Sequence, residues 1–562
     1  MIELSIIIPT YNRREQLRAC LNALSKQIQP ASDFEVLVVV DGSTDGTREM
    51  LQNFNTPFIL RVLYQENQGQ CAALNRGVEA ARGSYCLILD DDILADPELV
   101  SQHLMIQEQH ESVVGIGQIK TFIPPHSDWY ARCFAKDWAE QYERLNRCEQ
   151  PPTWMDCYGG NMSVPREAFL KAGGYATDLA RGYDNELAYR LEQQGLSFVY
   201  IPGALGFQDE RKGFRELAAD AENAGAASIE IYQRHPALLP ELLGSFNQGS
   251  WRKILLRRIL FALHIPPRLL AVIGKLFTEH RFAHSWFGII QHYCYWRGVK
   301  RAVPDRDTWR RLTQGVRVLM YHAIGESEEP PSPYIITEKR FDRQMAWLKR
   351  IGYSVICLEE LLHYRQENKL PPAGAIAITF DDGYADNYSR AYPILRKYGF
   401  PATIFLVSSR IGEDNGWDSQ SELAGRRLLS WSQIREMNRG GIHFGAHTRT
   451  HPQLIKLSPE QAREEVQGSR SEVEHELNTP VHVFAYPYGE YNSPLQSIAE
   501  EAGFQASCSI EPGFNTPATP LHALRRIDIF GTDSLLRFIL ALWLGDARGI
   551  FILKKANQIY TT

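Results

Sequence analysis

The sequence predicts an α/β protein that sets out its strand–helix pattern twice. Three observations carry this. Short apolar strands alternate with helical stretches over the first third of the chain, a helix-rich region follows, and the alternation begins anew at Val316. In the first third, residues 4–8, 34–40, 59–64 and 85–89 read as strands. Residues 14–26, 46–53 and 70–81 between them carry helical spacing, so a mainly parallel sheet covered by helices is expected. Residues 214–309, rich in Arg, Leu, Trp and Tyr, read as helices. The second pattern runs through strands at 318–321, 375–380, 402–407, 443–446 and 482–485. The restart marks a domain boundary near the polar stretch 303–315, and residues 326–333 read as a Glu/Ser/Pro-rich loop. The expected division is 1–230, a helical connector at 231–312, 313–545, and a tail at 546–562.

With 562 residues, 44% hydrophobic and 22% charged, the chain can bury more than one core. A net charge of -6 argues against a general nucleic-acid binder. Nine scattered cysteines without a CxxC pair argue against a disulfide framework or a cysteine zinc site. The N-terminus opens directly on a strand, so no signal peptide is expected, and no apolar run is long enough to predict a transmembrane helix. The nearest candidate, 254–277, is broken by Arg257, Arg258, Pro266, Pro267 and Arg268. It reads as two amphipathic helices, packed in a core or against a partner, or lying on a membrane surface.

Three acidic loops in the first pattern suit a reaction on a diphosphate: Asp41-Gly42-Ser43, Asp90-Asp91-Asp92 and Tyr183-Asp184-Asn185-Glu186. A carboxylate after a strand, as at Asp41, can accept a base N–H. Carboxylates two apart, Asp90 and Asp92, can hold Mg²⁺ or Mn²⁺, which prefer oxygen ligands and bridge phosphates. A third, Asp184, can deprotonate an acceptor hydroxyl. Each loop alone is an ordinary solvated turn; the argument rests on the ordered set.

These loops and the strings SIIIPTYNR, VVVDGSTDGT, NQGQCAALNRG, LILDDDI, YGGNMSVPREAF and GYDNELAYRL resemble the family 2 glycosyltransferases of the GT-A, Rossmann-like fold over residues 1 to about 230. The resemblance implies a nucleotide-sugar donor such as UDP-GlcNAc, held by Pro9, Tyr11 and Asp41. Asp90 would face the ribose, Asp92 the metal, and Gly160 and Asn161 the sugar and acceptor. Asp184 would be the catalytic base, with inversion at the anomeric carbon. Tyr183 replaces the family's usual Glu, and Gln208 stands near the place of a metal-binding His.

The second pattern carries ITFDDGYADN, two adjacent carboxylates after a buried strand, and later FGAHTRTHPQL with His447 and His451 four apart. If the latter segment is helical, the imidazoles share one face. Two His and one carboxylate leave a divalent metal open positions for an amide carbonyl and a water, whose proton the second carboxylate can take. With VLMYHAI, YGFPATIFLV and FAYPYGEYN, the segment 316 to about 530 resembles the polysaccharide deacetylases of carbohydrate esterase family 4, which have a distorted (β/α) barrel. The resemblance implies Asp381 as base and Asp382, His447 and His451 as ligands of Zn²⁺ or a similar ion. It also implies that Tyr488 supplies a backbone N–H to the oxyanion and that Pro487 shapes its loop. Ala485 stands where the family often has an Arg that orients the base. The general acid is open between His522 and His322.

Together these features imply a bifunctional enzyme that transfers an N-acetylhexosamine to a glycan or lipid-linked acceptor and removes an acetyl group. Its expected place is the cytoplasm, with peripheral attachment to the inner membrane left open. The alternatives are one working head with the other as a glycan-binding module, or a membrane-surface assembly protein.

Overall fold

The computed structural model describes residues 2–546 apart from 111, 125, 210–211, 278–281, 327–331 and 418–421. The tail expected at 546–562 therefore lies, beyond Asp546, outside the described residues, as do residues 327–331 of the expected loop. The chain forms two compact units. One comprises Met1–Ile231 with Ile265–Ala302; the other comprises Tyr232–His264 with Val303–Thr562. The helical connector thus contributes residues 232–264 and 303–312 to the second unit and residues 265–302 to the first.

The first unit is built on an eight-stranded mixed sheet. Its strands are β1 (Leu4–Thr10), β2 (Phe34–Asp41), β3 (Ile59–Gln65), β4 (Tyr85–Leu89), β5 (Leu94–Ala95), β6 (Val113–Phe122), β7 (Asn161–Pro165) and β8 (Ser197–Asp209), in the order β3-β2-β1-β4-β7-β6-β8-β5. The four strands read from the sequence form its parallel half. β7 runs antiparallel to both β4 and β6. Apolar runs report burial on two faces but not direction, so that reversal left no mark in the pattern. Leu4, Ile6, Ile8, Val36, Val38, Leu87 and Leu89 pack with Leu17, Cys20 and Leu21 of the helix Arg14–Leu24. This core fixes the carboxyl ends of β1, β2 and β4 side by side, where ligands of such sheets bind.

The second unit holds a curled, all-parallel sheet in the order β17-β16-β15-β14-β13-β9-β18, with β12 (Val355–Ile356) also beside β13. Its strands are β9 (Arg317–Tyr321), β13 (Ile376–Phe380), β14 (Ala402–Leu406), β15 (Ile442–Ala446), β16 (Val483–Ala485), β17 (Ala506–Cys508) and β18 (Ile527–Asp528); β10 (Ala323–Gly325) and β11 (Ile335–Thr337) pair separately. Leu319, Ile378, Ile404, Phe444 and Phe484 fill its core together with residues of the surrounding helices.

Two helices of the first unit, Phe214–Arg234 and Phe282–Ala302, cross at two glycines. An added Cβ at Gly225 would run into the Tyr295 carbonyl oxygen, and one at Gly298 into the Glu222 carbonyl oxygen, whereas Gly288 faces open space. Gly225→Ala and Gly298→Ala should each destabilise this unit by about 3 kcal/mol through overpacking. Gly288→Ala should leave stability unchanged or raise it through helix propensity. Thermal unfolding of the three variants checks this ordering.

Candidate active sites

In the first unit the loops after β1 and β2 are tied together. The Asn12 N–H donates to Ser43 Oγ at 3.0 Å, and Asn12 Oδ1 accepts from the Thr44 N–H at 2.8 Å. Asp41, at the end of β2, is buried. Its carboxylate accepts from Gln65 Nε2 and from the backbone N–H groups of Gln68 and Gly69, each at 2.8 Å, so it also organises the loop after β3. Pro9 is buried within β1, while Tyr11 stands exposed just beyond it.

The carboxylates after β4 are unequally matched. Arg13 pairs with Asp91 at 2.9 Å and with Asp92 at 2.6 Å, and Thr10 donates to Asp91. Among the described residues, Asp90 receives one side-chain donor, Gln70 Nε2 at 3.1 Å. Burial, then the charges of Asp92, Asp184 and Asp91, push the Asp90 pKa up to about 7. Burial raises Asp91 to about 6 against the pull of Arg13. Gln208, noted in place of a His, donates from Nε2 to Asp92 Oδ1 at 2.9 Å.

Asp184 sits in the first turn of the helix Tyr183–Gln193. Its Oδ1 is enclosed, and among the described residues no donor meets it in hydrogen-bond geometry. Burial lifts its pKa to about 6, opposed by the Gly159 N–H, by Tyr175 and by Arg181. The Gly159-Gly160 pair brings the acids together: a Cβ at Gly159 would overlap Asp184 Oδ1, and one at Gly160 would lie 2.9 Å from Asp90 Oδ2. Tyr183 donates to Gln70 Oε1 at 3.0 Å, and Gln70 in turn donates to Asp90, so the residue replacing the usual Glu joins this set through Gln70. Asn161 differs from its expected place. It is fully buried; His103 engages its Oδ1, and its Nδ2 donates to the Ala204 and Gln118 carbonyls, so its side chain is spent on holding the sheet.

A hard cation suits the Asp90–Asp92 group, which carries more negative charge than Arg13 answers. One or two carboxylates completed by substrate phosphates is a common setting for Mg²⁺.

In the second unit, the loops after β13 and β15 bring Asp382, His447 and His451 together. Asp382 Oδ1 lies 3.5 Å from His447 Nε2 and 3.3 Å from His451 Nε2, and all three residues are buried. Their ligand atoms lie within 4.8 Å of one another. Donation from His447 Nδ1 to the Ala485 carbonyl at 2.7 Å fixes the tautomer and leaves Nε2 to face Asp382. Burial lowers both imidazole pKa values and keeps the rings neutral. The donor set therefore fits Zn²⁺ or a similar ion. The two histidines are not on a helix: they occupy a loop in which Thr448 and His451 take positive φ. Asp382 and Tyr488 do so as well, at 69° and 57°, so four non-glycine residues with left-handed backbone gather here. Trp417 stacks on the His451 ring at 4.9 Å, and the Tyr488 ring meets it edge-on at 4.8 Å.

Asp381 is held by a residue that the sequence did not point out. Arg526 donates Nη1 to Oδ1 at 2.6 Å and Nη2 to Oδ2 at 2.9 Å, while its Nε donates to the Ser509 carbonyl. Burial alone would raise the Asp381 pKa, but Arg526 brings it down to about 2. Arg526 thus stands in for the Arg that Ala485 replaces. Of the two general-acid candidates, only His322 interacts with this group: Asp381, Arg526 and His447 all influence its charge, and burial lowers its pKa to about 4. The Nδ1 of His522 pairs with Ser507 Oγ at 3.0 Å, and its charged neighbour is Glu500.

Comparison with known proteins agrees with both halves. Residues 5–173 match the Glycosyl transferase family 2 pattern, and residues 368–507 match Polysaccharide deacetylase. The Bacillus subtilis (strain 168) protein YxkH, described as a polysaccharide deacetylase, is 31% identical over 233 residues, covering 41% of this chain and 78% of its own length. The validoxylamine A glucosyltransferase of Streptomyces hygroscopicus subsp. jinggangensis (strain 5008) is 27% identical over 287 residues, covering 46% of this chain and 67% of that protein. A poly-β-1,6-N-acetyl-D-glucosamine N-deacetylase of Staphylococcus aureus (strain MSSA476) is 27% identical over 221 residues, 38% of this chain and 73% of its own. The chain belongs to the polysaccharide deacetylases through its C-terminal domain and carries an N-terminal family 2 glycosyltransferase domain, so it is an enzyme of both kinds.

Proposed function

We propose that residues 1–230 transfer an N-acetylhexosamine with inversion from a nucleotide sugar such as UDP-GlcNAc to a glycan or lipid-linked acceptor, and that residues 313–545 remove an N-acetyl group from the product. The observation that carries the second activity is the buried Asp382–His447–His451 triad beside the Arg526-bound Asp381. The choice of an N-acetylated sugar draws on the S. aureus relative and on the fusion itself. Nucleotide sugars are made in the cytoplasm, which places the reaction there or at the inner leaflet.

In the transfer, Pro9, Tyr11 and Asp41 hold the nucleotide, Asp90 faces the ribose, and Asp184 takes the proton of the acceptor hydroxyl as its oxygen displaces the diphosphate. Asp92 would hold Mg²⁺ or Mn²⁺, which would supply positive charge toward the departing diphosphate. In the deacetylation, Asp381 takes a proton from the attacking water, the Tyr488 N–H meets the oxyanion, and His322, neutral at rest, accepts that proton from Asp381 and passes it to the departing amine. Asp382, His447 and His451 would hold a divalent ion, which would supply Lewis acidity to the amide carbonyl and the attacking water.

Asp184→Asn should abolish nucleotide release and spare acetate release from an N-acetylglucosamine oligomer; Asp382→Asn should abolish acetate release and spare nucleotide release, and chelation should lower both. Loss of both activities from either substitution, or of neither, would sink the two-enzyme reading. Because Asp184 must be ionised to act, kcat/KM for transfer should rise with pH through about 6 and level off above it, where an ordinary Asp would show no such limb. A profile measured between pH 5 and 8 reads this. His322→Ala should lower acetate release by roughly 100-fold. His522→Ala should change it less than about twofold, which steady-state acetate assays distinguish.

A further inference from the structure

In the first unit, the helix Pro267–Gly274 and the short turn Lys275–Phe277 that follows it form one amphipathic element with its apolar side outward. Leu269, Val272, Ile273 and Leu276 are 54%, 59%, 41% and 80% exposed. Their spacing places them on one face. The element is firmly seated by its other side. Leu270, Ala271 and Gly274 are buried, the Trp129 ring lies against Gly274, and Trp286 Nε1 donates to the Leu270 carbonyl at 2.9 Å. Tyr293 Oη donates to the Ile265 carbonyl just before the helix. The outward stripe is thus a property of a packed helix.

Its own charges are cationic. From Ile265 to Thr278 the sequence has two cations, Arg268 and Lys275, and no carboxylate, with Glu279 following. Arg268 and Lys275, one at each end of the stripe, are exposed. Four aliphatic side chains on about two turns offer too little area for a stable protein interface, which needs roughly 800 Å² from each partner. They also lack the Trp, Tyr or Arg anchors at the centre of such interfaces. A narrow aliphatic stripe with cations at its margins fits the boundary between acyl chains and anionic headgroups.

We propose that this element docks the enzyme onto an anionic lipid surface, with Leu269, Val272, Ile273 and Leu276 entering the acyl boundary and Arg268 and Lys275 meeting the headgroups. This concerns where the chain works and stands apart from the chemistry of either active site. The test is flotation of the full-length protein with phosphatidylcholine vesicles and with vesicles also containing phosphatidylglycerol. Wild type should float with the anionic vesicles and less so as salt rises. Replacing Leu269, Val272, Ile273 and Leu276 together by Gln should lower binding by roughly tenfold or more, and Arg268→Gln with Lys275→Gln should lower it several-fold and remove most of the salt dependence. Both variants should keep wild-type thermal unfolding of the full-length protein, including the first unit that carries the stripe, which confirms folding. No flotation of wild type, or equal flotation of the Leu/Val/Ile→Gln variant, overturns the proposal. So does a concentration-dependent dimer that this variant abolishes, because the stripe would then belong to a second copy.

Discussion

A carboxylate withdrawn from water must be answered by positive charge or it takes up a proton, and both active sites are arranged around that constraint. At the deacetylase site the answer is divided. Arg526 grips Asp381 through two short parallel hydrogen bonds and keeps it ionised, leaving the neighbouring Asp382 to face two neutral imidazoles. A single cation cannot do both jobs from one place. The adjacent acids need two different partners, and the fold supplies one while the donor set suits a metal for the other. At the glycosyltransferase site Arg13 answers Asp91 and Asp92, and the pKa values of Asp90 and Asp184 stay high. That surplus negative charge is what a metal–diphosphate ligand would relieve.

Backbone geometry makes these encounters possible. Parallel strands deliver their carboxyl ends to one edge, so acids far apart in sequence meet there. Close approach then depends on missing side chains or unusual torsions. Gly159 and Gly160 leave room for Asp184 and Asp90, while the positive φ angles of Asp382, Thr448, His451 and Tyr488 mark the second site. Such torsions cost on the order of 1–3 kcal/mol each, so they persist only where the surrounding packing holds them.

The legible part of this architecture was local. Strands β1 to β4 and β9, β13, β14, β15 and β16 announced themselves as apolar runs, and the acidic loops and paired histidines sat in short strings that follow them, whereas the short β12, β17 and β18 did not. What escaped was contact between distant segments. Arg526 lies 145 residues from Asp381, in a stretch where only His522 drew notice. The paired histidines suggested a helix because a spacing of four fits one, yet a strained loop brings the rings together equally well. Asn161 sat in a ligand-like string but turned to His103, because β7 presents alternate residues to opposite faces. Arg257 and Arg258, which break the apolar run 254–277, turn out to satisfy backbone carbonyls. Composition records the charge but not which way it points.

The same electrostatics bears on whether one domain is merely a binding module. Recognition of a glycan asks for hydrogen-bond donors, acceptors and aromatic faces; it does not ask for an enclosed carboxylate with a raised pKa. Asp184 is kept in that condition, with its pKa near 6 and the Gly159-Gly160 strand end fitted around it. Asp381 is kept in the opposite condition, fully ionised by a buried guanidinium that itself costs desolvation. Two acids tuned in opposite directions, each beside a group suited to a divalent cation, are expensive features for binding alone. They suit one carboxylate that takes a proton from a sugar hydroxyl near neutral pH and another that stays charged beside an activated water.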